Sequence, residues 1–237
     1  MAQGRDFHEL EIKLGYKFKS PDFLLCALSH TSYANEQRSR GIPAESNERL
    51  EFLGDAVLET VISEYLFKVF KKRREGSLTK LRQQLVCEKT LAIIAAELDL
   101  GSFLNIGHGE ELTDCRKRPK ILADCLEAII AAIYLDIGEG TNDELSGIII
   151  SLFSKKIDEF ANSQATDYKT MLQQLAEQDG SSDLYYEIKQ SGELHKPQFE
   201  ATAIINNNAV GFGCAKTKKG AEMAAAKQAL RLFGIVE

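Results

Sequence analysis

The hydrophobic period of this chain changes near residue 167, and that change constrains the fold more than any other feature. Up to residue 160, apolar residues recur every three or four positions, the spacing of amphipathic and buried α-helices. Beyond residue 167, a helical segment precedes three stretches of alternating apolar and polar residues, the period of strands, and then a closing helix. The sequence therefore predicts an all-α domain over residues 1–160 and an α+β domain of order αβββα over residues 167–237. The small, polar residues 161–166 are predicted to be the linker.

The composition excludes several classes of protein. No apolar run approaches the roughly 18 residues that would span a bilayer, and the N-terminal residues lack the hydrophobic core of a signal peptide. We therefore expect a cytoplasmic protein with no membrane partner. Five cysteines occur without any Cys-x-x-Cys spacing, which predicts neither a disulfide framework nor a zinc site. The net charge of −6 argues against a uniformly basic nucleic-acid-binding surface but allows local basic patches.

The first candidate site is an acidic stripe on a predicted helix over residues 47–58. Glu48, Glu51 and Asp55 are spaced at i, i+3 and i+7, which places them within about 60° of one helix face. Neighbouring carboxylates on a helix repel each other. Two interpretations remain open on this evidence: a solvated acidic face, or a site for a divalent cation that takes carboxylate oxygens as ligands.

A second acid pair lies on a helix that is otherwise apolar almost all round. Asp124 and Glu127 stand at i and i+3 within residues 121–130, the pattern of a buried helix. Acids in such a setting are seldom left buried unless they are paired or bind a metal. Two neighbouring helices could thus bring five carboxylates together, a set suited to metal-assisted phosphodiester hydrolysis. The histidines occupy unrelated local contexts, so no Ser/His/Asp or Cys/His arrangement competes with this hypothesis.

These segments resemble the motifs of the ribonuclease III family. Residues 47–58 are similar to its nine-residue signature with flanks, and residues 121–128 to its second acidic motif; residues 30–36 and 75–79 also match. The resemblance covers nearly the whole chain and implies the all-α ribonuclease III endonuclease fold. It also implies a homodimer, with one acidic cluster for each RNA strand. The implied cofactor is Mg²⁺, with Mn²⁺ as a substitute, and the implied products are 5′-phosphates with staggered 3′ ends.

The resemblance also implies roles for individual acids. The implied metal ligands are Glu51, Asp55, Asp124 and Glu127, of which Asp55 and Glu127 are also catalytic. Glu48 would be an auxiliary catalytic acid near the scissile phosphate, and Glu75 would help to engage substrate. The chain departs from the family pattern at Thr113-Asp114-Cys115, where a Ser-Gly-Gly run is usual, and at Lys120, where a small hydroxyl residue is usual. We expect both departures to affect loop geometry more than chemistry.

The C-terminal pattern resembles the double-stranded-RNA-binding domain, which reads the shape of an A-form duplex. Residues 213–222 are similar to the motif that opens its second helix. Lysines at the positive end of a helix are unfavourable unless an anion binds there, which favours phosphate contact over a merely solvated cluster. The RNA-binding residues predicted from this motif and from the resemblance are Lys216, Lys218, Lys219, Gln173, Glu177 and His195. Glu193 and Glu177 depart from the usual proline and glutamine.

The function predicted from these features is a double-strand-specific endoribonuclease that processes rRNA precursors and mRNA. Residues 167–237 carry eight Lys/Arg against nine Asp/Glu, a net charge of −1, so attraction to RNA must be local. The alternative is a catalytically silent double-stranded-RNA-binding protein that has kept the fold. A DNA-directed nuclease is disfavoured because the binding domain relies on 2′-hydroxyls. We expect no small-molecule substrate.

Overall fold

The chain forms two compact units, Met1–Ala161 and Asn162–Glu237. The computed structural model describes residues 7–138, 140, 143–164, 168–178, 183–191 and 197–235. None of the helices in these ranges is both long and apolar enough to cross a bilayer. The first unit is helical and the second combines helices with a sheet, so the predicted fold class is confirmed.

Helices account for the regular structure described in the first unit. They are α1 (His8–Leu14), α2 (Pro21–Ala27), α3 (Thr31–Ser39), α4 (Glu48–Val69), α5 (Glu75–Val86), α6 (Glu88–Glu97), α7 (Leu100–Phe103), α8 (His108–Glu111), α9 (Pro119–Ile137) and α10 (Asp143–Gln164). A 3₁₀ turn at Cys115–Lys117 leads into α9. The apolar period over residues 77–99 belongs to two helices, α5 and α6, because Cys87 between them has an extended backbone (φ −75°, ψ 151°).

Helix α9 forms the centre of the first unit. Its side chains from Ala128 to Ile133 are all fully buried, as its apolar surface predicts. The long helix α4 packs along it and buries Leu58, Ile62 and Leu66. This pairing also brings the two acid-bearing segments side by side, since α4 carries the first stripe and α9 the second pair.

A buried carboxylate fastens the end of α9 to the loop between α1 and α2. Asp136 accepts hydrogen bonds from the Tyr16 hydroxyl at 2.7 Å and from the backbone amides of Lys19 and Ser20 at 2.7 and 2.8 Å. Burial alone would raise the pKa of Asp136, but the hydrogen bonds outweigh burial and lower it. This acid therefore stabilises the fold and lies outside the acidic stripe.

The second unit has the order αβββα. It contains α11 (Tyr168–Gln178), β1 (Leu184–Ser191), β2 (Gln198–Ile205), β3 (Asn208–Ala215) and α12 (Lys218–Leu232). The strands form an antiparallel sheet in the order β1-β2-β3. A face of α12 made of alanines packs directly on β3, where a Cβ at Gly211 would lie 2.8 Å from the backbone nitrogen of Ala229. The glycines of β3 therefore allow strand and helix to approach closely.

The segment predicted to be the linker is partly helical. Helix α10 continues to Gln164, so residues 161–164 extend the last helix of the first unit, and the compact units divide after Ala161. Nothing in Ala161, Asn162, Ser163 and Gln164 stops a helix, since glycine and proline are both absent. The first four residues of the predicted linker are therefore helical.

Candidate metal centre and RNA-binding helix

The acids of α4 and α9 are brought together by a close crossing of the two helices. Gly54 is buried in α4, and a Cβ built on it would overlap the backbone carbonyl oxygen of Glu127 in α9. Any side chain at residue 54 would separate the helices. The crossing therefore depends on glycine, and it lies between Glu51 and Asp55 on α4 and beside Glu127 on α9.

Three carboxylates converge at this crossing. Glu51, Asp124 and Glu127 each offer one oxygen, and these oxygens lie within 4.8 Å of one another. All three side chains are half-buried, so water screens their mutual repulsion only in part. Oxygen ligands at this spacing suit a hard divalent cation such as Mg²⁺. The donor chemistry of the residues present therefore fits the metal that the family resemblance implies.

The charges of the cluster are mutually unfavourable in the metal-free protein. The pKa of Glu127 is raised to about 7, chiefly by burial and then by the charges of Asp55 and Glu51. Burial and the charge of Asp124 also raise the pKa of Glu51. Lys120 partly offsets both shifts. A bound cation would offset the unfavourable burial and mutual repulsion of these charges.

Lys120 is paired with one member of the cluster. Its ammonium nitrogen lies 3.1 Å from Oδ2 and 3.3 Å from Oδ1 of Asp124, one helical turn further along α9. The Lys120 side chain is 70% exposed and that of Asp124 is 24% exposed. The sequence departure at residue 120 therefore places a cation on a predicted metal ligand.

The other predicted acids lie around the cluster rather than in it. Asp55 is exposed and is not one of the three converging carboxylates, although its charge acts on Glu127. Glu48 is exposed at the start of α4 and accepts a hydrogen bond from the Ser46 hydroxyl at 2.8 Å. Glu75 begins α5, accepts a hydrogen bond from the Thr79 hydroxyl at 2.8 Å and is not among the converging carboxylates.

The departure at residues 113–115 is accommodated by an ordered turn. Asp114 adopts a left-handed backbone (φ 52°), a conformation that aspartate tolerates better than most residues. Cys115 is fully buried, and Arg116 donates hydrogen bonds to the carbonyl oxygens of Gly101 and Leu104 at 2.7 and 2.8 Å. Arg118 donates to the Thr113 hydroxyl at 2.8 Å. These contacts fix the entry to α9 without a glycine run.

The predicted lysine cluster surrounds the start of α12 in the second unit. Thr217 caps this helix, because its hydroxyl accepts a hydrogen bond from the amide of Gly220 at 3.0 Å. Lys216, Lys218 and Lys219 are exposed, and none forms an ion pair with an acid in the described ranges. Three unneutralised cations at the positive end of a 15-residue helix are suited to bind phosphate.

The remaining predicted RNA contacts are partly described. Gln173 and Glu177 are exposed on α11 and joined by a hydrogen bond of 3.2 Å from amide to carboxylate. Lys169, on the same helix, pairs with Glu222 of α12 at 2.6 Å, which fixes the two helices relative to each other. His195 and Glu193 lie outside the described residues.

One feature near the acids was not predicted from the sequence. Phe52 stands on α4 between Glu51 and Asp55, and 82% of its surface is exposed. Phe67 lies further along the same helix and is 74% exposed. It lines an open groove of about 840 Å³ between α4 and α5. Helix α4 thus leaves two large aromatic side chains exposed to solvent. The sequence feature that could have indicated it is an aromatic residue, Phe52, within the acidic stripe.

Comparison with known proteins assigns each unit to a class. Residues 20–151 match the family model described as Ribonuclease-III-like, and residues 168–232 match the model of the double-stranded RNA binding motif. The nuclease domain of ribonuclease III from Campylobacter jejuni has a similar fold, with a TM-score of 0.57 and 43% identity over 63% of this chain and 97% of that one. The chain is therefore a nuclease joined to an RNA-binding domain.

Similarity over the full length identifies the family. Ribonuclease 3 of Bacillus cytotoxicus is 46% identical over 95% of this chain and 90% of its own length, and that of Bacillus cereus strain AH187 is 45% identical over the same shares. The chain belongs to the ribonuclease III family. It is an endoribonuclease acting on double-stranded RNA, and the alternative of a silent binding protein is not favoured.

Proposed function

We propose that the carboxylates at the crossing of α4 and α9 hold Mg²⁺, with Mn²⁺ as a substitute, for hydrolysis of double-stranded RNA. The observation that carries this proposal is the convergence of Glu51, Asp124 and Glu127 within 4.8 Å in a half-buried site. Asp55 completes the proposed ligand set from the exposed side. Residues 1–160 are the proposed catalytic domain, and residues 167–237 the proposed RNA-binding domain.

The chemistry divides between the metal and the side chains. A bound divalent cation would lower the pKa of a water molecule and offset negative charge on the phosphoryl oxygen. Glu127 must be ionised to serve as a ligand, and its raised pKa means that cation binding and proton release are coupled. Glu48 and Glu75, both exposed near the ends of their helices, are proposed to contact the RNA rather than the cation.

The C-terminal unit supplies affinity for the duplex. Lys216, Lys218 and Lys219 are proposed to contact phosphates at the start of α12. Gln173 and Glu177 on α11, together with His195, are proposed to contact the minor groove. Such contacts select the A-form helix through 2′-hydroxyls and phosphates rather than base sequence. The negative charge of Glu177 is expected to limit affinity.

The active form is proposed to be a homodimer. The described residues of one chain contain one cluster of converging carboxylates, whereas a duplex has two strands to cut. The Campylobacter jejuni structure is described in terms of a region involved in dimer formation of its nuclease domain. The exposed Phe52 supports a dimer surface next to the acids, because burying it against a second copy would remove a large apolar side chain from water.

The proposed products are 5′-phosphate ends with staggered 3′ ends. The proposed substrates are structured RNAs, including rRNA precursors and mRNA. The proposed compartment is the cytoplasm, where these RNAs would be processed.

The decisive variant is Glu127→Gln, which keeps the shape of the side chain and removes its charge. We expect it to abolish Mg²⁺-dependent cleavage of a labelled RNA duplex while leaving duplex binding largely unchanged. Glu111→Gln, an exposed acid paired with Arg116 outside the cluster, is the matched control and should cleave normally. Undiminished cutting by Glu127→Gln would show that Glu127 is not part of the site.

A further inference from the structure

The proposed mechanism gives no role to Lys120, whose ammonium group lies at the carboxylate cluster. Both carboxylate oxygens of Asp124 lie within 3.3 Å of the Lys120 ammonium. Asp124 is one of the three converging carboxylates, so a metal ion that binds there must share or take an oxygen that Lys120 now contacts. Lysine and metal therefore compete for the same ligand.

The position of Lys120 brings little benefit to helix α9 itself. Lys120 is the second residue of α9, where the helix dipole disfavours a positive charge. The lysine also precedes its acid in the i, i+4 pair, which is the weaker of the two orientations. The helix alone therefore does not account for this ion pair, whereas three converging carboxylates do.

We propose that Lys120 is a resident counter-ion of the carboxylate cluster, which a divalent cation must displace from Asp124, so that Lys120 raises the metal concentration the enzyme requires. This inference rests on the proposed metal site. The side chain can leave without disturbing the fold, because it is 70% exposed and carries its charge on a flexible stem. Lys120 is thus a positioning residue that acts through Asp124.

Metal binding by the full-length protein without RNA tests this directly. Free Mn²⁺ is followed by electron paramagnetic resonance during titration of wild type, Lys120→Ala, Lys120→Arg and Lys117→Ala. We expect Lys120→Ala to bind Mn²⁺ roughly two- to fivefold more tightly, the range for loss of a partly exposed ion pair. Lys120→Arg keeps the charge and should bind no more tightly than wild type.

The matched control is Lys117→Ala, which makes the same change of charge three residues earlier. Lys117 pairs with Asp114, and both side chains are well exposed, so Mn²⁺ affinity should stay at the wild-type value. Equal affinity of Lys120→Ala and wild type would overturn the counter-ion role, as would equal tightening by Lys117→Ala. Glu127→Gln in the same titration separates the counter-ion role of Lys120 from the proposed metal site. Unchanged Mn²⁺ binding by that variant would show that the metal does not bind at this cluster.

Discussion

Gly54 of α4 and Glu127 of α9 touch through backbone alone, because a side chain at residue 54 would occupy the position of the Glu127 carbonyl oxygen. This contact sets the distance between the two acid-bearing helices. It therefore governs both the packing of the first unit and the spacing of the carboxylates. The geometry of the proposed metal centre is a consequence of how closely two helix backbones approach.

Gly54→Ala should accordingly damage fold and site together. The added methyl group meets backbone atoms that cannot rotate away, so we expect a loss of at least about 3 kcal/mol in the free energy of unfolding, at the upper end for overpacking. Gly147→Ala, at an open and exposed position in α10, is the control and should be neutral or stabilising by up to about 1 kcal/mol. Urea unfolding followed by circular dichroism measures both. Equal stability of the two variants would contradict the close crossing.

The raised pKa of Glu127 predicts how stability depends on pH in the metal-free protein. The folded state holds this proton up to a pH of about 7, whereas the unfolded chain releases it near 4.5. The folded state binds more protons between these values, so its stability should fall as pH rises through this window. Because water screens the half-buried carboxylates, we expect a loss of only about 1 kcal/mol.

Chemical unfolding in EDTA at several values between pH 4.5 and pH 8 measures this loss. Glu127→Gln should show a flatter profile, and Mg²⁺ should stabilise wild type most at the alkaline end of the range. If the stability of Glu127→Gln depended on pH as that of wild type does, the pKa of Glu127 would not be raised in the folded protein.

The lysine cluster predicts a salt-dependent contribution to RNA affinity. Lys218→Ala with Lys219→Ala removes two proposed phosphate contacts, so the slope of log affinity against log salt should fall by about 2. Lys155→Ala with Lys189→Ala removes two exposed lysines elsewhere and should leave the slope nearly unchanged. Fluorescence anisotropy with a labelled duplex measures both variants. Wild-type affinity for the first variant at moderate salt would mean that these lysines are merely solvated.

Phe52 predicts the position of the dimer surface. Phe52→Ala should weaken self-association at least about tenfold, since burial of one phenylalanine is worth roughly 1.5–3 kcal/mol and a symmetric dimer buries it twice. The unfolding of the monomer should not change, because the side chain is 82% exposed. Leu112→Ala, at another exposed apolar residue, is the control. Sedimentation velocity would contradict this placement if both variants dimerise like wild type.

The fold class could be predicted because the spacing of apolar residues differs between helices and strands. The 3.6-residue period identified α4 and α9, and alternation identified the three strands, so both unit types were confirmed. The break between α5 and α6 has no signal in the sequence, because Cys87 is not a turn residue and the apolar period continues across it. The extension of α10 was missed because polar residues also occur at exposed helix ends.

The sequence could suggest which residues form the proposed site but not their geometry. Spacing placed Glu48, Glu51 and Asp55 on one face, but only the crossing at Gly54 decides that Glu51 joins the acids of α9 while Asp55 stays exposed at the edge. The Lys120–Asp124 pair is readable as an i, i+4 spacing, yet its effect depends on a third acid from another helix. Tertiary packing therefore supplied what local pattern could not.

The most direct test of the central claim is cleavage of a duplex RNA labelled on each strand, with Mg²⁺ or with EDTA, and with the ends mapped on both strands. We expect cutting only with Mg²⁺, on both strands, with 5′-phosphates and a fixed stagger that reports two clusters in a dimer. Retained RNA binding without Mg²⁺-dependent cutting would contradict it, as would equal cutting in EDTA.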